Sequence, residues 1–188
     1  MTEVVACDVT QSMLDAVAAT AAERGLTNIA ARQSAAEKFP FEDGYFDVVL
    51  CRFTTHHWQD VEAGPRDARR VLKRAGRAIF IDSVVPADRT LDTHMQAVEL
   101  LRDVSHVRNY STAEWVSALS RAGCVVEGIT IRTPRMEFAV WTERTRTPAV
   151  RVEAIRSLQM TAPAVVKDHF NIGEDGSFDL EVATIVVR

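Results

Sequence analysis

The side chains best able to do chemistry in this sequence stand just after runs that read as β-strands. Asp8 follows the apolar run at 4–7, and Arg52, His56 and His57 follow Phe46–Arg52 (FDVVLCR). A carboxylate at a strand end can accept both hydroxyls of a ribose, as nucleoside and dinucleotide sites require. It can equally be a solvated acid held by the positive end of the following helix. Two adjacent histidines can shuttle a proton, because imidazole alone titrates near neutrality unperturbed. Metal ligation is a poorer fit, since no third ligand stands at a recognisable spacing. Neighbouring residues on a helix point about 100° apart, so one histidine of the pair can simply pack. Both structural and chemical roles stay open for each.

These positions need a scaffold, and hydropathy patterning supplies one. Short apolar runs alternate with helical periodicity over the first two thirds of the chain, the pattern of an α/β protein with a parallel sheet. Strands are expected at 4–7, 29–32, Phe46–Arg52, 78–85, 125–131 and 178–187. The run Val48, Val49, Leu50 predicts a strand covered on both faces. Thr10 is placed to cap a helix carrying Met13, Leu14, Val17 and Ala21 on one face, ended by Gly25. A second helix should end near 69–74, broken by Gly76, and a third should span 91–104 with Leu91, Met95, Val98 and Leu101 inward. Ser111 and Glu114 form a capping box ahead of Trp115, Ala118, Leu119 and Ala122. Helices are expected at 136–146 and 149–170, split at Pro148 and interrupted at Pro163. No linker or repeat divides the chain, which reads as one domain over 1–188, with a sheet-bearing part at 1–132 and helices and a last strand at 133–188.

Composition narrows the classes further. A chain of 188 residues that is 47% hydrophobic supports one sizeable core and is not of disordered composition. Twenty-two basic against 26 acidic residues leave a net charge of −4, which argues against a polynucleotide partner. Cys7, Cys51 and Cys124 are odd in number and far apart, as in a reduced intracellular protein. The first ten residues lack the basic and apolar regions of a signal peptide, and no apolar run is long enough to span a bilayer. The expectation is a cytoplasmic protein without membrane partners.

Taken in order, several segments resemble one family: Asp8 and the helix opening TQSML, AEKFPF at 36–41, FDVVLCRFTTHHW with Asp60, RVLKRAGRAIFID, and HVRNYSTAEWVSALSRAGCVVE. Together they look like the class I S-adenosylmethionine-dependent methyltransferases, nearest the small-molecule group related to ubiquinone/menaquinone-biosynthesis enzymes, over roughly residues 3–132. The resemblance implies a Rossmann-like, doubly wound, mostly parallel sheet with helices on both faces. It also implies methyl transfer from S-adenosylmethionine to a small molecule. It places Asp8 on the cofactor ribose with Val9 beside the adenine, Ala36 and Glu37 at the adenine edge, and Arg52 under the methionine part. His56 and His57 fall near the transferred methyl group, and Arg108, Tyr110 and Trp141 in segments that form the substrate pocket.

The sequence departs from the family at one defining element. The glycine-rich turn G-x-G-x-G, with its preceding strand and following helix, is absent ahead of the Asp8 strand; the eight glycines lie elsewhere and no two are separated by one residue. Ala35 stands where many relatives carry an Asp, and RAGR replaces a Pro-Gly-Gly turn at 74–77. Such a chain is short of the first βα unit, whose strand is central in the family. Its loss exposes unpaired strand edges, costing about 1–3 kcal/mol for each buried polar group left without a partner. The flanking strands must then pair directly, a second copy must cover them, or the C-terminal segment must rebuild the strand. The expectations are a homo-oligomer and weak or absent cofactor binding. The alternatives are a catalytically inactive module on the same fold that binds or assembles, and an NAD-dependent enzyme, which would need the same missing glycines.

Overall fold

A computed structural model describes residues 3–188; Met1 and Thr2, which precede the first strand, lie outside the described residues. Strand β1 (Val4–Asp8), helix α1 (Gln11–Glu23) and strand β2 (Ile29–Gln33) form a right-sized βαβ unit in which β1 and β2 pair in parallel from Val4↔Ile29 to Asp8↔Gln33. Strand β3 (Phe46–Arg52) leads through a 3₁₀ turn (Thr55–His57) and α2 (Ala63–Val71) into β4 (Leu72–Ser83), again parallel to its predecessor. Then come α3 (Arg89–Arg102), α4 (Thr112–Arg121), β5 (Val126–Arg132), β6 (Arg135–Met136), α5 (Phe138–Arg144), α6 (Ala149–Thr161), α7 (Ala164–His169), β7 (Phe178–Asp179) and β8 (Val182–Val187). The larger sheet has the order β3-β4-β8-β5, with β8 antiparallel to both neighbours; β1-β2 and β6-β7 form separate two-stranded sheets.

Local signals explain most boundaries. The capping box at the start of α4 is complete, with Ser111 and Glu114 exchanging side-chain and backbone bonds. Asp88 caps α3 by accepting from Thr90 and Leu91 N–H, which starts that helix two residues before the expected 91. Pro163 stands at the N-cap of α7 and, having no N–H, ends the helical run that began at Ala149. Thr10 occupies the α1 N-cap position, but its side chain makes no cap bond and turns instead to Asp8.

Three expectations are corrected. Gly76 does not end a helix, because α2 stops at Val71 and the chain runs on as β4 from Leu72 through Gly76. A Cβ at Gly76 would lie 2.9 Å from the Asp47 carbonyl oxygen, so the missing side chain lets β3 and β4 approach at their irregular register. The strand at 178–187 is two pieces, β7 and β8, which join different sheets. Finally, β3 is covered on one face only: Cys51 is buried and Val49 packs on the core, whereas Val48 and Leu50 are 48% and 61% exposed. Alternation along the strand sends the two sets to opposite sides.

β1 and β3 do not pair, and β8 inserts between β4 and β5 instead of filling a place beside β1. One edge of β1 and one of β3 thus stay without a strand partner among the described residues. Two cores hold the rest. In the first, Phe80, Ala183 and Ile185 from the sheet pack against Ala68 of α2 and Trp115 and Leu119 of α4. The second gathers Met95 and Val98 of α3, Phe138 and Trp141 of α5, Ile155 of α6 and Val166 of α7 around Val85 and Val182. Val182 pairs with Ser83, so this second core lies at the carboxyl end of β4, the end from which the chemistry-bearing residues emerge.

Candidate functional site

Beyond β3 the backbone turns sharply. Phe53 has φ of 50°, an uncommon conformation for a bulky residue, and its N–H donates to the Ile81 carbonyl at 2.8 Å. Arg52 folds its guanidinium over the Phe53 ring, 4.7 Å from the centroid. The turn sets Thr54, Thr55 and His56 against the end of β4, where Asp82 is 2% exposed.

Asp82 organises this corner. Its Oδ2 accepts from the N–H groups of Thr54 (3.1 Å) and Thr55 (2.8 Å), and its Oδ1 accepts from Ser83 N–H (2.9 Å) and from His56 Nδ1 (2.6 Å). Four donors thus meet a buried carboxyl group, which satisfies the hydrogen-bonding demand of its burial. Because His56 donates through Nδ1, its Nε2 is the bare nitrogen whenever the ring is neutral. No described residue hydrogen-bonds that Nε2. Burial opposes a charge on His56, but the hydrogen bond and charge of Asp82, with the Glu99 carboxylate, outweigh it and raise the imidazole pKa against Arg102.

Around this pair stand further rings and polar groups. His57 lies 4.1 Å from His56 between centroids and shares its Nδ1 with Ser105 Oγ at 3.1 Å; Ser105 in turn donates to Asp103 at 2.7 Å. His106 lies 5.8 Å from His56, and its Nε2 meets Gln96 Oε1 at 2.8 Å. Gln96 Oε1 also accepts from Asn109 N–H, while its amide donates to Asp92 and the Asn109 carbonyl. An amide oxygen can only accept, so His106 is protonated at Nε2. Burial, together with His56 and His57, pushes the His106 pKa down to about 4. His106 Nδ1 is buried without a partner. The His56 carbonyl accepts from Val107 N–H (2.7 Å) and Arg108 N–H (3.2 Å), which ties the 105–108 segment to the turn. Glu99, buried on α3, pairs with Arg102 at 3.2 Å, and burial raises its pKa.

The other expected site residues are distributed as follows. Asp8 ends β1, half-buried; its Oδ1 accepts from Thr10 N–H and the Thr10 hydroxyl, and no described residue bonds its Oδ2. Val9 is exposed beside it. Ala36 and Glu37 lie in the turn after β2, where Ala36 packs on the first core. That turn is anchored by Arg70, which donates to the carbonyls of Phe39 (3.0 Å) and Phe41 (2.7 Å). Arg108 is paired with Asp92 (2.9 Å) and Glu114 (3.1 Å), and Tyr110 packs edge-on against Trp115. Trp141 is a core residue, 4% exposed, under the Arg102 guanidinium and edge-on to Phe178. His56 and His57 are therefore brought together with each other and with the 105–110 segment, whereas Trp141 sits inside the second core.

Sequence reasoning missed Asp82, His106, Gln96 and Glu99. One signal was available for Asp82: a carboxylate closing the apolar run Ala-Ile-Phe-Ile must enter the interior with partners of its own. Among the described residues no group of three or more His, Cys, Asp or Glu is arranged to hold a metal ion. No helix of the described residues is long and apolar enough to cross a membrane.

Comparison with known proteins bears on the family and the fold. Residues 1–80 match the model of a methyltransferase domain. The uncharacterized protein YafE of Escherichia coli K12 is 41% identical over 97% of this chain and 88% of its own. The uncharacterized methyltransferase YcgJ of Bacillus subtilis 168 is 33% identical over 97% of this chain and 74% of its own. The crystal structure of YcgJ superposes with a TM-score of 0.92 at 32% identity, covering 99% of this chain and 82% of that one. A solved protein from Bacillus halodurans C-125 gives 0.93 at 28% identity over the same shares. The chain belongs to the S-adenosylmethionine-dependent methyltransferase family.

Proposed function

We propose that this chain transfers a methyl group from S-adenosylmethionine to a small-molecule acceptor held beside His56 and His57. The observation that carries the reading is the buried Asp82–His56 pair, standing at the carboxyl ends of parallel strands β3 and β4, where α/β domains of this kind bind their ligands. The residues present fit the cofactor in part. Asp8 has one carboxylate oxygen to which no described residue donates, open to a ribose hydroxyl, and Val9, Ala36 and Glu37 offer an apolar and backbone-lined edge for adenine. Arg52 is suited to a carboxylate nearby. S-adenosylmethionine, when bound, supplies an electrophilic methyl group. The chain's own residues orient the acceptor and take up a proton where the acceptor must lose one, and Arg108 and Tyr110 border the acceptor side.

The described residues beside β1 supply no glycine turn for the ligand to approach, so on this reading these residues by themselves hold the cofactor weakly. Calorimetric titration with S-adenosylmethionine and S-adenosylhomocysteine tests this. Heat from both, abolished by Asp8→Ala, is the expected result. Silence up to millimolar ligand would discard the cofactor reading, and affinity tighter than micromolar would discard its weakness.

A second reading rests on the unpaired edges of β1 and β3 and on exposed Val48 and Leu50. Uncovered edges and apolar faces invite association, so the species that this chain forms is a homo-oligomer. Light scattering behind size-exclusion at micromolar chain should give a mass above one protomer; a well-folded monomer of 20.9 kDa would refute it.

A further inference from the structure

We propose that the groove between α3, α6 and α7, on the face of α3 turned away from His56, is a second binding site that takes a small anion with an apolar tail, a medium-chain carboxylate. Its existence does not depend on the methyltransferase reading. Helix periodicity separates the two faces of α3. Asp92, Gln96 and Glu99 look toward the corner around His56, where they meet Arg108, His106 and Arg102. Thr90, His94 and Ala97 each precede one of those by two residues, a rotation of about 200°, and so stand on the opposite side of the helix. Leu91, Met95 and Val98 fill the second core. Both α6 and α7 pack on α3. Leu158 of α6, Pro163 and Val166 of α7 close a groove of about 500 Å³ against it, within the roughly 300–1,000 Å³ of small-molecule sites.

The groove is apolar along its length and cationic at one end. Ala97, Leu158, Pro163 and Val166 give it carbon walls. His94 is half-buried, its ring 6.0 Å from that of Phe170 between centroids. Burial lowers the His94 pKa, so the imidazole is neutral at neutral pH and adds a flat uncharged surface. Arg89, Thr90 and Thr93 stand at the other end, in the first turn and a half of α3. No described residue pairs with the Arg89 guanidinium or bonds either threonine hydroxyl. The nearby carboxylates are engaged elsewhere: Asp88 accepts from the N–H groups of Thr90 and Leu91, and Asp92 from Arg108 and Gln96. The lining therefore holds one cation and no carboxylate, and the positive end of the helix dipole lies beside that cation. A carboxylate can take two parallel N–H bonds from the guanidinium. Ala97 stands about 12 Å along the helix from Arg89, which leaves an apolar tail to lose its water against the carbon walls. A cationic head would meet Arg89 as a like charge.

Sodium decanoate, kept below its micellar concentration, is the probe, titrated into the full chain carrying ¹³C-methyl alanine, leucine and valine. Saturable binding of one decanoate per chain is expected, with Overhauser contacts from the tail to the methyl groups of Ala97, Leu158 and Val166. Arg89→Gln should weaken that binding about tenfold; Arg89 is exposed, so this substitution leaves the fold intact. Decyltrimethylammonium, with the same tail and a cationic head, should bind the wild-type chain about tenfold more weakly than decanoate, or worse. Ala97→Phe, which fills the groove, should block decanoate. Equal binding of the two probes, an affinity unchanged in Arg89→Gln, or tail contacts at Val107 beside His56 in place of Ala97 would each overturn the proposal. So would a wild-type chain that binds no decanoate because light scattering finds this face sealed in a dimer that Ala97→Phe breaks. S-adenosylmethionine is titrated separately. A chain that binds decanoate yet gives no heat with S-adenosylmethionine keeps this site and loses only the cofactor reading.

Discussion

Replacing Asp82 with Asn removes a charge and converts one acceptor oxygen into a donor amide while keeping the shape. In the native arrangement Oδ2 serves Thr54 and Thr55 N–H, and Oδ1 serves Ser83 N–H and His56 Nδ1. Whichever way the amide turns, two buried donors lose their acceptor. Each unmet donor costs about 1–3 kcal/mol, and loss of one partner from a buried ion pair costs about 3–5 kcal/mol in all. His56 is 12% exposed on its side chain and Asp82 2%, so solvent screening recovers little. The loss expected is about 3 kcal/mol, or a Tm lowered by about 6–12 °C for a domain of this size. The pH dependence has a definite sign. The folded pKa of His56 is raised above its unfolded value, so the charged pair contributes fully below about pH 6.5 and its contribution fades as pH climbs through the folded pKa. Thermal and urea unfolding of both proteins, followed by circular dichroism from about pH 5.5 to about pH 9, should show the gap narrowing with rising pH. The part due to Thr54, Thr55 and Ser83 should remain at the alkaline end. A gap under about 0.5 kcal/mol, the range of an ordinary surface substitution, or one that widens with pH, would refute the reasoning.

Further expectations follow from packing and titration. Leu119→Ala, at a fully buried position in the first core, should lower unfolding free energy by about 2–5 kcal/mol, measured by urea titration. Gly64→Ala should lower stability by about 1–3 kcal/mol, because an added Cβ would fall within the van der Waals envelope of the Trp58 ring; smaller Trp58 substitutions combined with it should recover part of the loss. Cys51, pushed up to about 12 by burial with Asp82 and Cys7 adding to it, should resist a thiol-disulfide reagent in the native protein and react only on unfolding, whereas half-buried Cys7 should react first.

Local information was enough for the elements that depend on local physics. The capping box at Ser111 and the face formed by Trp115, Ala118, Leu119 and Ala122 are set by spacing within one helix, and the structure buries all four apolar residues. The strand runs, the proline stops and the histidine pair after β3 were legible for the same reason. Gly76 shows the limit. Glycine in a polar tetrapeptide reads as a turn, but it lies inside β4 because the Asp47 carbonyl of a strand distant in sequence needs its empty side.

The sequence by itself determined an α/β chain with reactive side chains at strand ends, since hydropathic period and residue type are local quantities. Tertiary structure decided which of those side chains meet. The carboxylate 26 residues from His56 becomes its partner only when β3 and β4 lie side by side. Asp82 there raises the pKa of one imidazole against its burial, while burial pushes a nearby one down to about 4. No window of sequence distinguishes His56 from His57 or His106; the desolvated carboxylate across the strand boundary does.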